Sequence, residues 1–347
     1  MKKWVIFGIV GIVIIGIIFT IWYVQKGSDK PVEVEYKGLW MSTLLFQDVN
    51  YLESNVEKLK DMGVNTIYIV AFPPYPEASF EKLREIFAPE IVEMFAELIP
   101  IEKELIIDNI QIAHNNDLKV ALSVIKPPVL EEKDIEELNL KIIEYAKLAE
   151  EYDVELFAPM AEPPQIINTG IWRQEILSRI KEVYHGEIFW SAAGPGLPDK
   201  EAISQISEQP PGDFVGYDYI GFGTLFFPSE ILNQWDPDYP TIEEYPEYVE
   251  GAVDYMLAVA ERDGVKKVII TEFGVIGTIA MSESSILSLS EEEMARAYEI
   301  VLEQGNGKVV GFFASSDFLG IELPGIPLLN ENLKTGEVIK RYFTEIL

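Results

Sequence analysis

The chain has 347 residues, with 58 acidic and 27 basic side chains, and its formal net charge is -31. Such a surface repels phosphate backbones, so we expect no nucleic acid among its partners. The sequence holds no cysteine and only two histidines, His114 and His185, which excludes disulfides, thiolate chemistry and a histidine-rich metal centre. We therefore expect neither a metal nor another cofactor.

An apolar segment opens the chain. Residues 4–24 carry no charge, and a segment of that length can cross a bilayer as a helix. Lys2 and Lys3 precede it, and Trp4 and Trp22 stand at its ends, where interfacial aromatic residues are usual. We predict a transmembrane helix with its N-terminus in the cytoplasm. A cleaved signal peptide is the alternative, although this apolar run is longer than a usual signal-peptide core.

The rest of the chain is predicted to be one domain outside the cell. We place the anchor at residues 1–26, a linker at 27–36 and the domain at 37–347. Within the domain, strand-like and helix-like stretches alternate to the end. Short apolar runs predict eight strands at 38–45, 64–72, 118–125, 154–160, 188–192, 217–222, 265–271 and 309–314. Helical patterns lie near 52–62, 81–98, 101–115, 132–152, 172–184, 245–262, from Ser290 onward and at 335–346, with at most a short helix in 195–212.

Eight strand–helix units over roughly 310 residues match a (β/α)₈ barrel, the TIM barrel. The strands are continuous apolar runs, as expected for strands that are covered on both faces. A doubly wound open sheet is the competing fold. Such a sheet usually carries a glycine-rich turn after its first strand, and none follows residues 38–45 here. The sequence therefore predicts the closed barrel.

Two glutamates stand where predicted strands end. Glu162 follows the fourth strand, and Glu272 follows the seventh. A carboxylate at the end of an apolar run is costly unless it faces a cleft, and the strand ends of a barrel line its active-site mouth. We predict that the two carboxylates meet at this mouth and flank one glycosidic bond.

The local motifs resemble those of clan A glycoside hydrolases, which carry an acid/base glutamate after strand four and a nucleophilic glutamate after strand seven. Ala161-Glu162-Pro163 is similar to the clan's Asn-Glu-Pro, and Glu272-Phe273-Gly274 to its Glu-Phe-Gly. Strands six and eight of the clan are also similar to 218–222 and 311–313. The resemblance implies a retaining glycoside hydrolase that cleaves a β-linked glycan, with Glu272 as nucleophile and Glu162 as acid/base.

Three departures from the clan pattern concern substrate contacts. Ala161 replaces the asparagine before the acid/base, and Gly223-Thr224 replaces a tyrosine that often follows strand six. Ala314-Ser315-Ser316 stands where a tryptophan is expected near the end of strand eight. Each departure removes an expected contact to the sugar, and none removes a carboxylate.

Aromatic side chains are expected in the walls of a glycan cleft, because sugar faces are apolar patches of C–H groups. The candidates at strand ends and in the loops after them are Trp40, Phe72, Tyr75, Trp172, Trp190, Phe222 and Trp235. Tyr75 and Trp235 lie in polar, breaker-rich loops and are the strongest of these. For every one of the seven, packing in the core is the alternative.

Other functions remain open at this stage. Both glutamates could instead be structural and bound to cations, and a catalytically silent barrel that binds surface polysaccharide is the main rival. An aldolase-like barrel would need a Schiff-base lysine, for which Lys126 after strand three is the candidate. Both histidines fall at predicted helix ends, where a cation suits the dipole. The sequence indicates no oligomeric state and no particular sugar.

Overall fold

The computed structural model describes residues 31–41, 49–72, 102–125, 132–161, 169–193, 200–206, 209–212, 214–223, 225–226, 240–241, 243–274, 290–315 and 333–347. The predicted anchor at residues 4–24 lies outside these ranges and stays a prediction. Among the described helices, none combines the length and the apolar character that a bilayer crossing requires.

Eight parallel strands close into a barrel. They are β1 (Tyr36–Met41), β2 (Thr66–Ala71), β3 (Lys119–Ile125), β4 (Leu156–Ala161), β5 (Glu187–Ala193), β6 (Tyr219–Gly223), β7 (Lys267–Gly274) and β8 (Gly311–Ser315). Each strand pairs with the next along the chain, and β8 returns to pair with β1. This closure confirms the predicted (β/α)₈ barrel. A two-residue strand, Leu225–Phe226, adds to the end of β7.

In the described part of the chain, an α-helix follows each strand. The helices are α1 (Val49–Asp61), α2 (Lys103–Asn115), α3 (Ile135–Glu151), α4 (Gly170–Lys181), α5 (Lys200–Ile206), α6 (Tyr245–Asp263), α7 (Glu291–Gly305) and α8 (Leu333–Arg341). A π-helical turn, Tyr342–Ile346, continues α8. The predicted helix at 81–98 lies outside the described residues.

Apolar side chains fill two separate layers, because successive residues of a strand point to opposite faces. The outer layer packs the strands against the helices, and the inner layer fills the barrel. Inside the barrel, the ring of Tyr68 lies 5.1 Å from that of Phe313 and 5.7 Å from that of Phe189. A Cβ on Gly38 would lie 2.2 Å from the Phe313 ring, so this glycine makes room for it. The two layers explain why the strands read as unbroken apolar runs.

Hydrogen bonds and ion pairs occupy the amino end of the barrel. Glu187 Oε2 accepts hydrogen bonds of 2.7 Å from the hydroxyls of both Tyr36 and Tyr219. Burial and the adjacent carboxylate raise the pKa of both hydroxyls, so the tyrosines stay protonated and donate. This end of a barrel contributes stability, whereas the carboxyl end carries the chemistry.

The two histidines lie away from the carboxyl end of the barrel. His114 Nε2 is 3.3 Å from Glu155 Oε2, directly before β4, and His185 Nδ1 is 2.8 Å from Glu150 Oε1 at the end of α3. Both therefore pair with carboxylates at the amino ends of the strands, in agreement with the expected position at helix ends.

The chain enters the barrel at this same amino end. The Val32 N–H donates to Gly307 O at 3.0 Å, just before β8, and the Tyr36 N–H donates to Val310 O at 3.0 Å. The second half of the predicted linker is thus bonded to the domain. It lies opposite the end at which Glu272 stands.

Candidate active site

Glu272 lies at the carboxyl end of β7, as the sequence predicts. Its side chain is partly exposed, while Thr271 before it and Phe273 after it are buried. The register between β7 and β8 shifts between Ile270 and Phe273. Ile270 and Phe273 both belong to the outer layer, so strict alternation is broken between them. Such an irregularity re-aims a side chain, and here it turns Glu272 away from the helix layer.

The neighbouring strand confirms this orientation of Glu272. A Cβ built on Gly223, at the end of β6, would lie 3.0 Å from the Cβ of Glu272 and 3.2 Å from its backbone nitrogen. Gly223 is buried and ends β6 on the rim. Glu272 is therefore packed against the glycine end of β6, at the mouth of the barrel.

The end of β4 shows a related irregularity. The pairing of β4 with β3 shifts between Ser123, which is opposite Ala158, and Ile125, which is opposite Ala161. Met160 packs in the outer layer and Ala161 in the inner one. Glu162 follows Ala161 directly and lies outside the described residues, so its predicted pairing with Glu272 stays a prediction.

Three of the aromatic candidates belong to the outer core. Trp190 and Phe222 are fully buried and Trp172 is 6% exposed, and all three pack between the sheet and the helices. The Trp190 ring lies 5.9 Å from that of Trp172, whose Nε1 donates to Asn139 Oδ1 at 2.9 Å. These three residues therefore pack in the core instead of lining a cleft. Trp190 and Phe222 alternate along their strands with inward-facing residues, so their side chains point to the helices. None offers a ring face to a sugar.

Trp40 occupies a different position, at the end of β1. It is partly exposed and packs against the inner layer together with Phe72 and Ile125. In the sheet it stands beside Ser315 of β8. Trp40 and Phe72 are therefore partly exposed aromatic residues at the ends of β1 and β2. Tyr75, Trp235 and Lys126 lie outside the described residues.

Small residues end most of the remaining strands. The inner or buried positions near these ends are Ala161 on β4, Ser191 on β5, Gly223 on β6 and Ser315 on β8. Among the described residues, the rim thus carries aromatic side chains at the ends of β1 and β2 and small residues near Glu272. Within the described ranges, no group of three or more histidines and carboxylates could hold a metal ion.

Comparison with known proteins gives structural matches only. No protein-family model and no curated protein matches the sequence. A GH113 β-1,4-mannanase superposes with a TM-score of 0.57 at 14% identity, over 90% of this chain and 100% of the mannanase. The GH113 β-mannanase from Alicyclobacillus acidocaldarius gives the same score and identity, over 90% and 98% of the two chains. The β-glucuronidase from Ruminococcus gnavus gives 0.52 at 16% identity, over 90% and 50%.

The chain has the fold of these glycosidases. They belong to the clan that the motifs around Glu162 and Glu272 resemble, so the resemblance is confirmed at the level of fold. Identities of 14–16% establish no more than that, and the sugars in these names belong to the matched proteins.

Proposed function

We propose that this chain is a retaining glycoside hydrolase that cleaves a β-linked glycan, with Glu272 as the nucleophile and Glu162 as the acid/base. The observation that carries the proposal is the placement of Glu272, partly exposed at the carboxyl end of β7. In a (β/α)₈ barrel this end holds the catalytic residues. The matched β-mannanases and β-glucuronidase share the fold.

The chemistry requires two carboxylates in different roles. Glu272 attacks the anomeric carbon while Glu162 protonates the departing oxygen, which forms a covalent glycosyl-enzyme and releases the first product. Glu162 then deprotonates a water molecule, which displaces Glu272 and restores the anomeric configuration. This mechanism requires the two carboxyl groups to be about 5–5.5 Å apart.

The described residues of the rim support a position for the sugar. Trp40 and Phe72 present apolar surface on the β1–β2 side, which suits the C–H face of a pyranose ring. Among the described residues, Ser191, Gly223 and Ser315 place only small residues at the strand ends around Glu272. The reacting ring would then lie between these two aromatic side chains and the nucleophile.

The location of the enzyme is part of the same proposal. Residues 4–24 would hold the protein in the membrane, and the domain would stand outside the cell. Residues 31–35 join the barrel at its amino end. An anchor at the start of the chain would therefore leave the mouth with Glu272 facing away from the bilayer.

The direct test is hydrolysis of a panel of aryl β-glycosides and β-linked glycans by the purified chain. Glu272→Gln keeps the size of the side chain but removes the nucleophile, so we expect kcat to fall by about 10³-fold or more. Glu175→Gln, at an exposed position on α4, is the matched control and should leave kcat unchanged. Binding of glycan without hydrolysis by the wild type would instead identify a silent polysaccharide-binding barrel.

A further inference from the structure

Strand β6 carries no side chain on its inner face near the mouth. Gly221 and Gly223 stand two residues apart, so both face the inside of the barrel. A Cβ on Gly221 would lie 2.4 Å from Cγ2 of Thr271 and 2.7 Å from the carbonyl oxygen of Trp190. The methyl group of Thr271, on β7, therefore occupies the room that this glycine leaves.

This bare strand allows a contact between its two neighbours. Ser191 Oγ on β5 donates to Thr271 Oγ1 on β7 at 3.3 Å, and the two side chains are 3% and 1% exposed. The bond passes over β6, where a Cβ on Gly223 would lie 3.1 Å from Thr271 Oγ1. The side chain that directly precedes Glu272 thus links β7 to β5 across β6.

Gly223 also touches Glu272 itself. The absent Cβ would lie 3.0 Å from Glu272 Cβ and 3.2 Å from Glu272 N. Contacts of this length are tighter than nine in ten of those that real Cβ atoms make, so Glu272 would have to move by a few tenths of an ångström to admit a methyl group. The backbone just after Glu272 is closely packed as well. There, Gly274 has φ +132 and abuts the Tyr298 hydroxyl, which donates to Ser315 O at 3.0 Å.

We propose that Gly223 is a positioning residue for Glu272, and that the Ser191–Thr271 hydroxyl pair holds the backbone that carries it. The inference rests on the proposed nucleophilic role of Glu272. Nucleophilic attack depends strongly on placement, and a displacement of about 1 Å can cost a hundredfold in rate. A residue that packs directly against Cβ of the nucleophile therefore acts on the first chemical step.

The test compares Gly223→Ala with Gly336→Ala. Gly336 lies on α8, where an added Cβ would meet nothing within 4 Å, so this control should leave all rate constants unchanged. For Gly223→Ala we expect kcat on aryl β-glycosides to fall by about 10- to 100-fold with little change in KM. The rate of aryl-alcohol release in the first turnover should fall, because formation of the bond between Glu272 and the anomeric carbon is slowed. The rate of deglycosylation should fall less.

A second variant adds no non-hydrogen atom, so it introduces no steric clash that could cause misfolding. Thr271→Val keeps the methyl group that rests on Gly221 but removes the hydroxyl bond to Ser191, and we expect a smaller slowing of the same first step. Unchanged first-turnover rates in both variants, with an active wild type, would overturn the positioning role and leave the proposed function intact. If the wild type cleaves no glycoside, a crystal structure of Gly223→Ala tests whether Gly223 positions Glu272. Displacement of Glu272 Cβ supports the positioning role, and superposition of Glu272 on the wild type contradicts it.

Discussion

Asp263 illustrates how a single carboxylate is used for stability in this barrel. Its side chain is fully buried at the end of α6 and accepts hydrogen bonds from Arg262 Nε at 2.6 Å and from the N–H groups of Gly212 at 2.7 Å and Phe214 at 3.2 Å. Burial alone would raise the pKa of this carboxyl group, but these hydrogen bonds hold it below the ordinary value. Asp263 thereby ties α6 to the segment that leads into β6.

Removal of this charge should destabilise the protein in a pH-dependent way. A carboxyl group with a lowered folded-state pKa contributes stability above its unfolded pKa of about 4, and that contribution is lost as the pH falls. We expect Asp263→Asn to lower the free energy of unfolding by about 1–3 kcal/mol at pH 7, and by less at pH 3.5. Urea unfolding at both pH values measures the difference.

The control for Asp263 lies on the same helix. Asp254 Oδ1 pairs with Lys308 Nζ at 2.9 Å on the surface, where both side chains are partly exposed. Asp254→Asn should cost no more than about 1 kcal/mol. Equal losses for both variants, or a loss for Asp263→Asn that stays constant with pH, would show that the buried hydrogen bonds do not stabilise the ionised form.

Single residues also show what the sequence could and could not reveal about the site. Glu272 was readable because a carboxylate closes an apolar run. The outward orientation of Trp190 and Phe222 could not be predicted. Strands β5 and β6 are apolar on both faces, so the sequence does not show which of their residues point inward. The register shift before Glu272 depends on the pairing of β7 with β8, which no local pattern records. For the same reason, the contact between Gly223 and Glu272 had no signal in the sequence.

Helix α7 is the element that supports the end of β7 from outside. Its residue Tyr298 packs on Phe273, with 5.5 Å between ring centroids, and donates to Ser315 O. The helix starts with the predicted capping box. Ser290 Oγ accepts from Glu293 N at 3.2 Å, and Glu293 Oε2 accepts from Ser290 N at 2.8 Å. The cap therefore fixes the start of a helix that contacts the strand of Glu272.

Loss of this cap should weaken the domain. Ser290→Ala leaves helix N–H groups without their acceptor, so we expect the free energy of unfolding to fall by about 1 kcal/mol. Ser178→Ala is the matched control, because Ser178 Oγ donates to Gln174 O within α4 and caps nothing. Its effect should be close to zero. Chemical denaturation of the two variants under one condition compares them, and an equal cost for both would contradict the capping role.

Elements were predictable where periodicity is strong. The helix that begins after Ser290 was marked by its capping residues, and the weak segment 195–212 contains the short helix α5. The end of the chain differs from the prediction of one helix over 335–346, because α8 stops at Arg341 and a π-helical turn follows. The strand Leu225–Phe226 was not predicted, because two residues are too few to show the alternating pattern of a strand.

At the scale of the whole molecule, closure of the sheet decides where the chemistry can occur. The pairing of β8 with β1 brings all eight carboxyl ends onto one rim, including those of β4 and β7. The alternation of strands and helices predicted the barrel, but closure requires a register between strands from opposite ends of the chain. The chain enters at the opposite rim, through the bond from Val32 N to Gly307 O.

The proposed anchor gives a prediction at this scale. The full chain should sediment with membranes and resist carbonate extraction, whereas a chain that starts at residue 27 should remain in the supernatant. Its kcat should be unchanged, because residues 32–36 join the barrel at the end opposite Glu272. Cell fractionation and activity assays on both forms measure this. A mature protein that begins near residue 27 in the medium would show a cleaved signal peptide instead.

Covalent trapping of the nucleophile tests the central claim most directly. A 2-deoxy-2-fluoro β-glycoside with a dinitrophenolate leaving group slows both steps of a retaining reaction but favours the first, so the glycosyl-enzyme accumulates. After proteolysis, mass spectrometry should find the fluorosugar as an ester on Glu272, within the peptide that contains Val268–Gly274. A label on another carboxylate, or hydrolysis with inverted anomeric configuration and no label, would contradict the assignment of Glu272.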